Sequence, residues 1–358
     1  MHKKKQSAEV STLIHALILL AAAVIWGFAF VSQSIGADYV GPFTFLAGRC
    51  WIAVAFLIPV VAIADRVRER GQAEDRIESS DKRAEGREKN RDSSCAESET
   101  PQTRIAGRNS EDQKAAAGAV STGRPVTAAQ RRMLLTAGVV CGIFLFTASA
   151  AQQIGIGMTT TAKAGFITAL YVILVPIVSL FLGHRSSPKI WVSVALGVTG
   201  LYFLCMKGGL TGLNRGDLIL MLCALLYAFQ ILVVNHYLPM VDGLRLSLIQ
   251  TLIEGILSTV FMLMLETNTA AALKAALPAI LFAGIMSSGV AYTFQIIGQK
   301  GLKPAVASLL MCLESVFAAI GGWLFQGQVL TGRELLGCVL MFSGTVLSLL
   351  PAGRRKKK

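Results

Sequence analysis

Ten stretches of this chain are each long and apolar enough to cross a lipid bilayer, and nothing else in the sequence restricts the fold as strongly. They occupy residues 13–31, 42–64, 133–154, 160–182, 190–206, 216–237, 246–265, 275–297, 304–325 and 334–350. A hydrocarbon layer about 30 Å thick needs about 20 apolar residues at a rise of about 1.5 Å each. No water is present there, so every backbone N–H and C=O must bond within its own segment or in a closed barrel. The runs are continuous rather than alternating with period two, which selects helices. The composition agrees: 53% of residues are hydrophobic and 15% charged, well below the roughly 25% charged share of a soluble domain.

The basic start (Lys3, Lys4, Lys5) followed by residues 13–31 has the outline of a secretory signal peptide. The run is long for one, and nine more follow it, so it reads as an uncleaved first span. Pro278 and Pro304 stand where helices begin and an N–H is orphaned in any case. Residues 65–132 differ in kind, with 15 Lys/Arg, 13 Asp/Glu and no aromatic residue. Such a segment buries too little apolar area to offset its ordering entropy, so a disordered loop is expected, with a transient charged helix over 65–91. With the N-terminus in the cytoplasm, 28 of the 34 Lys/Arg fall on inside segments and four on outside loops. Discounting the long loop leaves 13 against four and the same orientation, with both termini cytoplasmic. The +13 net charge is thus an orientation signal, and no basic soluble module points to nucleic acid. Seven cysteines and four histidines show no metal-ligand spacing, and no cofactor motif is present.

Five spans precede the 207–215 loop and five follow it, so the second half is inverted relative to the first. Inverted repeats place a site near the midplane and permit alternating access. The stretch 160–183, TTAKAGFITALYVILVPIVSLFLG, has a weaker copy at 302–322, offset by 139 residues. Leu170 then meets Leu309, Leu174 meets Leu313, Gly183 meets Gly322, and Pro176 meets Ser315 beside Glu314. Gln153-Ile154 similarly has a counterpart in Gln295-Ile296. The expected domains are a first repeat over 12–206 interrupted by the charged loop, a second over 216–350, and a basic tail over 351–358.

The segments AAAVIWGFAFVSQSIGADYVGPFTFLAGR, TTTAKAGFITALYVILVPIVSLFLG and VAYTFQIIGQKGLKPAVASLLMCLESVFAAIGGWLFQGQ together resemble the drug/metabolite transporter superfamily, EamA type. The resemblance covers nearly all of the chain outside 65–132. It implies an all-α polytopic membrane protein of ten helices in two inverted five-helix repeats. It also implies cytoplasmic termini, a cavity lined mainly by helices 1, 3, 4, 6, 8 and 9, and movement of small metabolites without ATP hydrolysis. Two departures stand out. Gly183-His184 and Gly327-Gln328 replace the Gly-Glu pair that often closes helices 4 and 9, and the long loop is unusual for the family.

Charges inside a bilayer are expensive, about 2.5–3.5 kcal/mol at a helix centre, and each invites a functional question. Glu314 in helix 9 is a candidate substrate or proton site, weighed evenly against a structural role. Arg49 in helix 2 and Glu254 in helix 7 are read as a structural charge pair. Lys163 near the outer face is a candidate for attracting an anionic substrate, with the interfacial lysine that snorkels to the surface as the favoured reading. Trp26, Tyr171, Tyr227 and Tyr292 fall on helices that the resemblance makes cavity helices. Aromatic walls with a few polar groups suit a small amphipathic ligand. Gln33, Gln153, Gln230, Gln295 and Thr168 are the candidate polar groups, against the alternative of helix–helix hydrogen bonding. Pro176 in mid-helix 4 frees a carbonyl and is a candidate gating hinge, as readily a static kink. Gly138-x-x-x-Gly142 and Gly197 with Gly200 permit close helix approach and also suit a homodimer contact. The expected partners are therefore a small-molecule substrate, the lipid bilayer of the cell membrane and protons. The expected function is secondary active transport, with export as the favoured direction. The alternative, an intramembrane enzyme acting on a lipid, lacks a H-E-x-x-H or G-x-S-x-G motif or paired acids at fixed spacing.

Overall fold

The computed structural model describes residues 2–94, 127–159, 161–183, 186–205, 214–326 and 331–350, in places as backbone alone. The helices are α1 (His2–Ala37), α2 (Pro42–Ser94), α3 (Ala128–Ile156), α4 (Thr161–Ala169), α5 (Tyr171–Phe181), α6 (Pro188–Cys205) and α7 (Arg215–Tyr237). They continue with α8 (Gly243–Leu265), α9 (Ala270–Phe282), a π-helical segment (Ala283–Ala291), α10 (Tyr292–Gln299), α11 (Pro304–Met311), α12 (Glu314–Gln326) and α13 (Gly332–Leu349). Among the described residues eight helical stretches are long and apolar enough to span a bilayer, and Pro188–Leu204 and Pro304–Ile320 are shorter apolar ones. Together they occupy the ten expected positions. Residues 1–58 with 129–358 form one compact unit and residues 59–128 another.

The charged stretch is helical further than its composition implies. The backbone of α2 stays helical through Ser94, and α3 already begins at Ala128. The sequence sets Glu78 four residues before Lys82 and Glu85 four before Lys89, the pair orientation that supports an exposed helix. The centre of the expected loop, residues 95–126, lies outside the described residues, as do the 351–358 tail, His184, Gly327 and Gln328.

Three spans that read as continuous in the sequence are interrupted. Helix 4 divides at Leu170 into α4 and α5, and helix 9 divides after Met311 into α11 and α12. At both breaks the ladder tightens to three-residue bonds: Leu170 N–H donates to the Ile167 carbonyl at 3.2 Å and Leu313 N–H to the Leu310 carbonyl at 3.3 Å. The first break lies upstream of Pro176, which is buried inside α5. Helix 8 is interrupted by the π segment. Its Gly284 lies so close to α2 that a Cβ there would sit 2.7 Å from Ile52 Cβ and 2.9 Å from the Arg49 carbonyl oxygen.

Small residues set the packing. A Cβ on Gly200 would fall 2.5 Å from the Gly337 carbonyl oxygen, and one on Gly337 would fall 2.6 Å from that of Gly200, so the backbones of α6 and α13 touch. Gly138 and Gly142 of α3 seat Ile249 and Ile253 of α8, and Gly27 of α1 receives the backbone of α12 at Ala318. Helix α8 buries Ser247, Gln250, Thr251, Glu254 and Ser258 along one face, each with no exposed surface.

Polar ties join elements far apart in sequence. The Glu266 carboxylate, just past α8, accepts the Phe43 N–H at 2.8 Å, the Thr44 N–H at 2.8 Å and the Thr44 hydroxyl at 2.6 Å. It thereby caps α2, whose own Gly41–Pro42 start supplies no side-chain cap. Asn214 and Asp217 form a reciprocal capping box on α7. Asp217 Oδ1 also accepts the Thr159 hydroxyl at 3.0 Å, and Asn214 Nδ2 donates to the Met158 carbonyl at 3.3 Å. The alternation of spans puts both ties at the same end of the bundle. At the other end Lys189 Nζ donates to the Leu350 carbonyl, joining α6 to the end of α13.

Candidate functional site

Where α1, α2, α3, α4, α5, α7, α10, α11, α12 and the π segment converge, they leave a small cavity of about 40 Å³. That is well below the roughly 300–1,000 Å³ of small-molecule sites, so the helices stand closed around it and must part to admit a solute. Helix α1 contributes Trp26, Phe30 and Gln33, and α2 contributes Arg49. Gln152 comes from α3, Tyr227 and Ile231 from α7, Ser287 from the π segment, and Tyr292 with Gln295 from α10. The remaining wall is Thr168 of α4, Tyr171 of α5, Met311 of α11 and Glu314 of α12.

The two helix breaks deliver two of these groups. Tyr171 is the first residue of α5 and Glu314 the first of α12. The Tyr171 hydroxyl donates to Glu314 Oε1 at 3.3 Å across 143 residues of sequence. The offset of 139 expected from the apolar pattern therefore differs from the spacing of the breaks. The pattern aligns leucines that pack in the core, and these do not mark where the helices break. Glu314 is 6% exposed and stands in the first turn of α12, where the helix dipole favours its negative charge.

The aromatic wall is joined by hydroxyl contacts. Tyr227 Oη donates to Gln152 Oε1 at 3.2 Å and lies 3.3 Å from Tyr292 Oη and 3.4 Å from Ser149 Oγ. The Trp26 ring meets Tyr292 edge to face, with centroids 5.1 Å apart. Arg49 is 1% exposed, and its Nη2 donates to Glu254 Oε1 at 2.8 Å. Arg49 lines the cavity while Glu254 stands behind it.

Of the residues singled out from sequence, Trp26, Thr168, Tyr171, Tyr227, Tyr292, Gln295 and Glu314 share this cavity, as does Gln33. Gln153 and Gln230 lie one layer behind. Gln153 Nε2 donates to the Gln33 carbonyl at 3.2 Å, and Gln230 Oε1 accepts Gln295 Nε2 at 3.0 Å. Pro176 is buried in α5 and does not line the cavity, and the Lys163 side chain lies outside the described residues. Gln152, Ser287 and the wall position of Arg49 were not singled out. Gln152 adjoins Gln153, but a rotation of about 100° per residue decides which of the two faces inward, and only packing fixes that. Thr168 Oγ1 and Gln295 Oε1 are buried without a hydrogen-bond partner, so the wall retains polar capacity for a guest.

Eight helices long and apolar enough to span a bilayer and two shorter apolar ones, several of them meeting at an aromatic, charge-bearing cavity, define a multi-pass membrane protein. The profile of the EamA-like transporter family matches residues 13–74 and 214–350. An Archaeoglobus fulgidus protein described as an uncharacterized transporter is 30% identical over 215 residues, covering 59% of this chain and 67% of that one. A solved structure described as "Crystal structure of protein" superposes with a TM-score of 0.64, covers 94% of this chain and 99% of its own, and is 17% identical, which shows a shared fold. The chain belongs to the EamA-like transporter family and is a membrane transporter of the drug/metabolite type.

Proposed function

We propose that the chain is a secondary active exporter of a small amphipathic metabolite in the cell membrane, working by alternating access between two inverted repeats, with Glu314 as the group that takes up and releases the coupling proton. Both termini face the cytoplasm in this reading, which rests on the lysine and arginine asymmetry of the loops. The observation that carries the reading is the Tyr171–Glu314 contact. A buried carboxylate and its donor each begin the second half of a broken helix, on the wall of the one cavity described above. Broken helices at a midplane site are the usual way a transporter exposes polar groups to a solute. The Asp217 and Glu266 ties lie at the outer end in this orientation and hold it closed, so export requires both to part.

The test compares extracellular metabolites from cells making the wild-type chain with those from cells making Glu314→Gln at matched membrane levels. A compound enriched outside with the wild type alone identifies the substrate. In proteoliposomes holding that compound, an imposed pH gradient should accelerate wild-type flux and leave Glu314→Gln flux unchanged. Equal acceleration in both proteins refutes the role of Glu314.

A further inference from the structure

Arg49 reads in sequence as half of a structural ion pair, and its geometry gives it unspent capacity. The guanidinium carries five N–H donors in a planar fork suited to a bidentate grip on a carboxylate. Its bond to Glu254 is a single contact from Nη2 to Oε1. Arg49 Nε and Glu254 Oε2 are both buried with no hydrogen-bond partner. A purely structural pair closes both contacts, because each unmade buried hydrogen bond to an ion costs stability. Arg49 also faces the cavity, and Glu254 does not. A buried cation with an unused donor, in a wall that also holds Trp26, Tyr227 and Tyr292, suits the acidic group of an organic acid.

We infer that Arg49 is a substrate-binding residue that takes the acidic group of an aromatic or otherwise apolar organic anion, with Glu254 holding its charge when the cavity is empty. This rests on the cavity being the transport site and adds the class of substrate. The guest's carboxylate accepts from Arg49, and its apolar body lies against the aromatic wall. Arg49 and Glu314 are the two charged residues among the lining groups. With Glu254 already neutralising Arg49, an ionised Glu314 leaves the site one negative charge in excess.

The test uses Trp26 as a reporter in the full chain with Trp51→Phe, Trp191→Phe and Trp323→Phe, purified in detergent. Three probes share one ring and differ in charge: phenylacetate, phenylacetamide and phenethylamine. Phenylacetate should quench Trp26 with about tenfold higher affinity than the neutral amide, the effect of roughly one charge-assisted hydrogen bond. Glu254→Gln, which removes the competing charge, should tighten phenylacetate. Arg49→Gln with Glu254→Gln, which leaves no unpaired charge to disturb folding, should erase the preference. Glu314→Gln should keep it. A preference for the amine or the amide, or an acid preference that survives the double change, overturns the assignment of Arg49 and leaves the proton role of Glu314 to its own flux test. No response to any of the three probes overturns this inference together with the cavity as the binding site.

Discussion

Replacing Glu266 by alanine should loosen the start of α2 while the rest of the bundle keeps its structure. The carboxylate accepts two backbone N–H groups and a hydroxyl at 2.6 to 2.8 Å. Hydrogen bonds to a charged acceptor contribute roughly 1.5–3 kcal/mol each, and loss of an N-cap side chain costs about 0.5–2 kcal/mol. One carboxylate cannot deliver the full sum of its bonds, and Glu266 is part-exposed, so about 2 kcal/mol is a reasonable figure for the whole tie. At 1.4 kcal/mol per factor of ten, that is roughly a 30-fold rise in the local opening of Phe43 and Thr44. Hydrogen–deuterium exchange by mass spectrometry on a peptide spanning these amides reads it directly. The α7 start, capped by its own Asn214–Asp217 box, is the internal control and should not change. Glu266→Gln keeps a neutral acceptor and should give an intermediate rise. Exchange within about twofold of wild type at residues 43 and 44 refutes the reasoning, since that is below the effect of a single ordinary hydrogen bond. A uniform rise across all helices refutes it too, because the carboxylate then supports the fold as a whole rather than one end.

Glu254→Leu strands the Arg49 charge and should cost about 3–5 kcal/mol, while Arg49→Met with Glu254→Leu should return close to wild type, read by thermal unfolding in detergent. Gly200→Ala places a methyl 2.5 Å from a backbone oxygen of α13 and should destabilise by about 1–3 kcal/mol in the same assay, whereas Gly165→Ala meets no atom within 4 Å and should be neutral or mildly stabilising. Thr251→Val removes a buried hydroxyl that has no partner and should leave the melting temperature unchanged or raised; a clear drop means the hydroxyl is bonded to solvent. Tyr171→Phe should preserve the fold by circular dichroism and slow substrate flux in proteoliposomes, and unchanged flux removes Tyr171 from the working site.

Much of this molecule is legible in its sequence because the bilayer asks for a crude quantity, the length of an apolar run. All ten spans stand where hydropathy puts them. The interruptions at Leu170, at Cys312–Leu313 and over Ala283–Ala291 are invisible to it, since Leu, Cys, Ala and Ser are as apolar or small as their neighbours and the breaks arise from what the helices pack against. The cavity is legible as a set of aromatic residues on particular helices, and illegible in rotation: Gln152 lines it and Gln153 does not. The Glu266 cap has a trace in the sequence. Gly41–Pro42 begins a helix without a Ser, Thr, Asp or Asn at its head, so the orphaned N–H groups of Phe43 and Thr44 had to be satisfied from elsewhere.

The contact between Gly200 and Gly337 bears on how motion in this protein can be measured. With backbone against backbone at Gly200, Gly337 and Gly344, α6 and α13 have little soft layer through which to slide. In the proposed cycle they form a fixed frame, and the broken helices that meet at Tyr171 and Glu314 are the parts expected to yield. Spin labels placed on the lipid-facing sides of α6 and α13 should therefore keep one distance in every step of a transport cycle. That constant distance is a ruler against which the displacement of any other helix can be read.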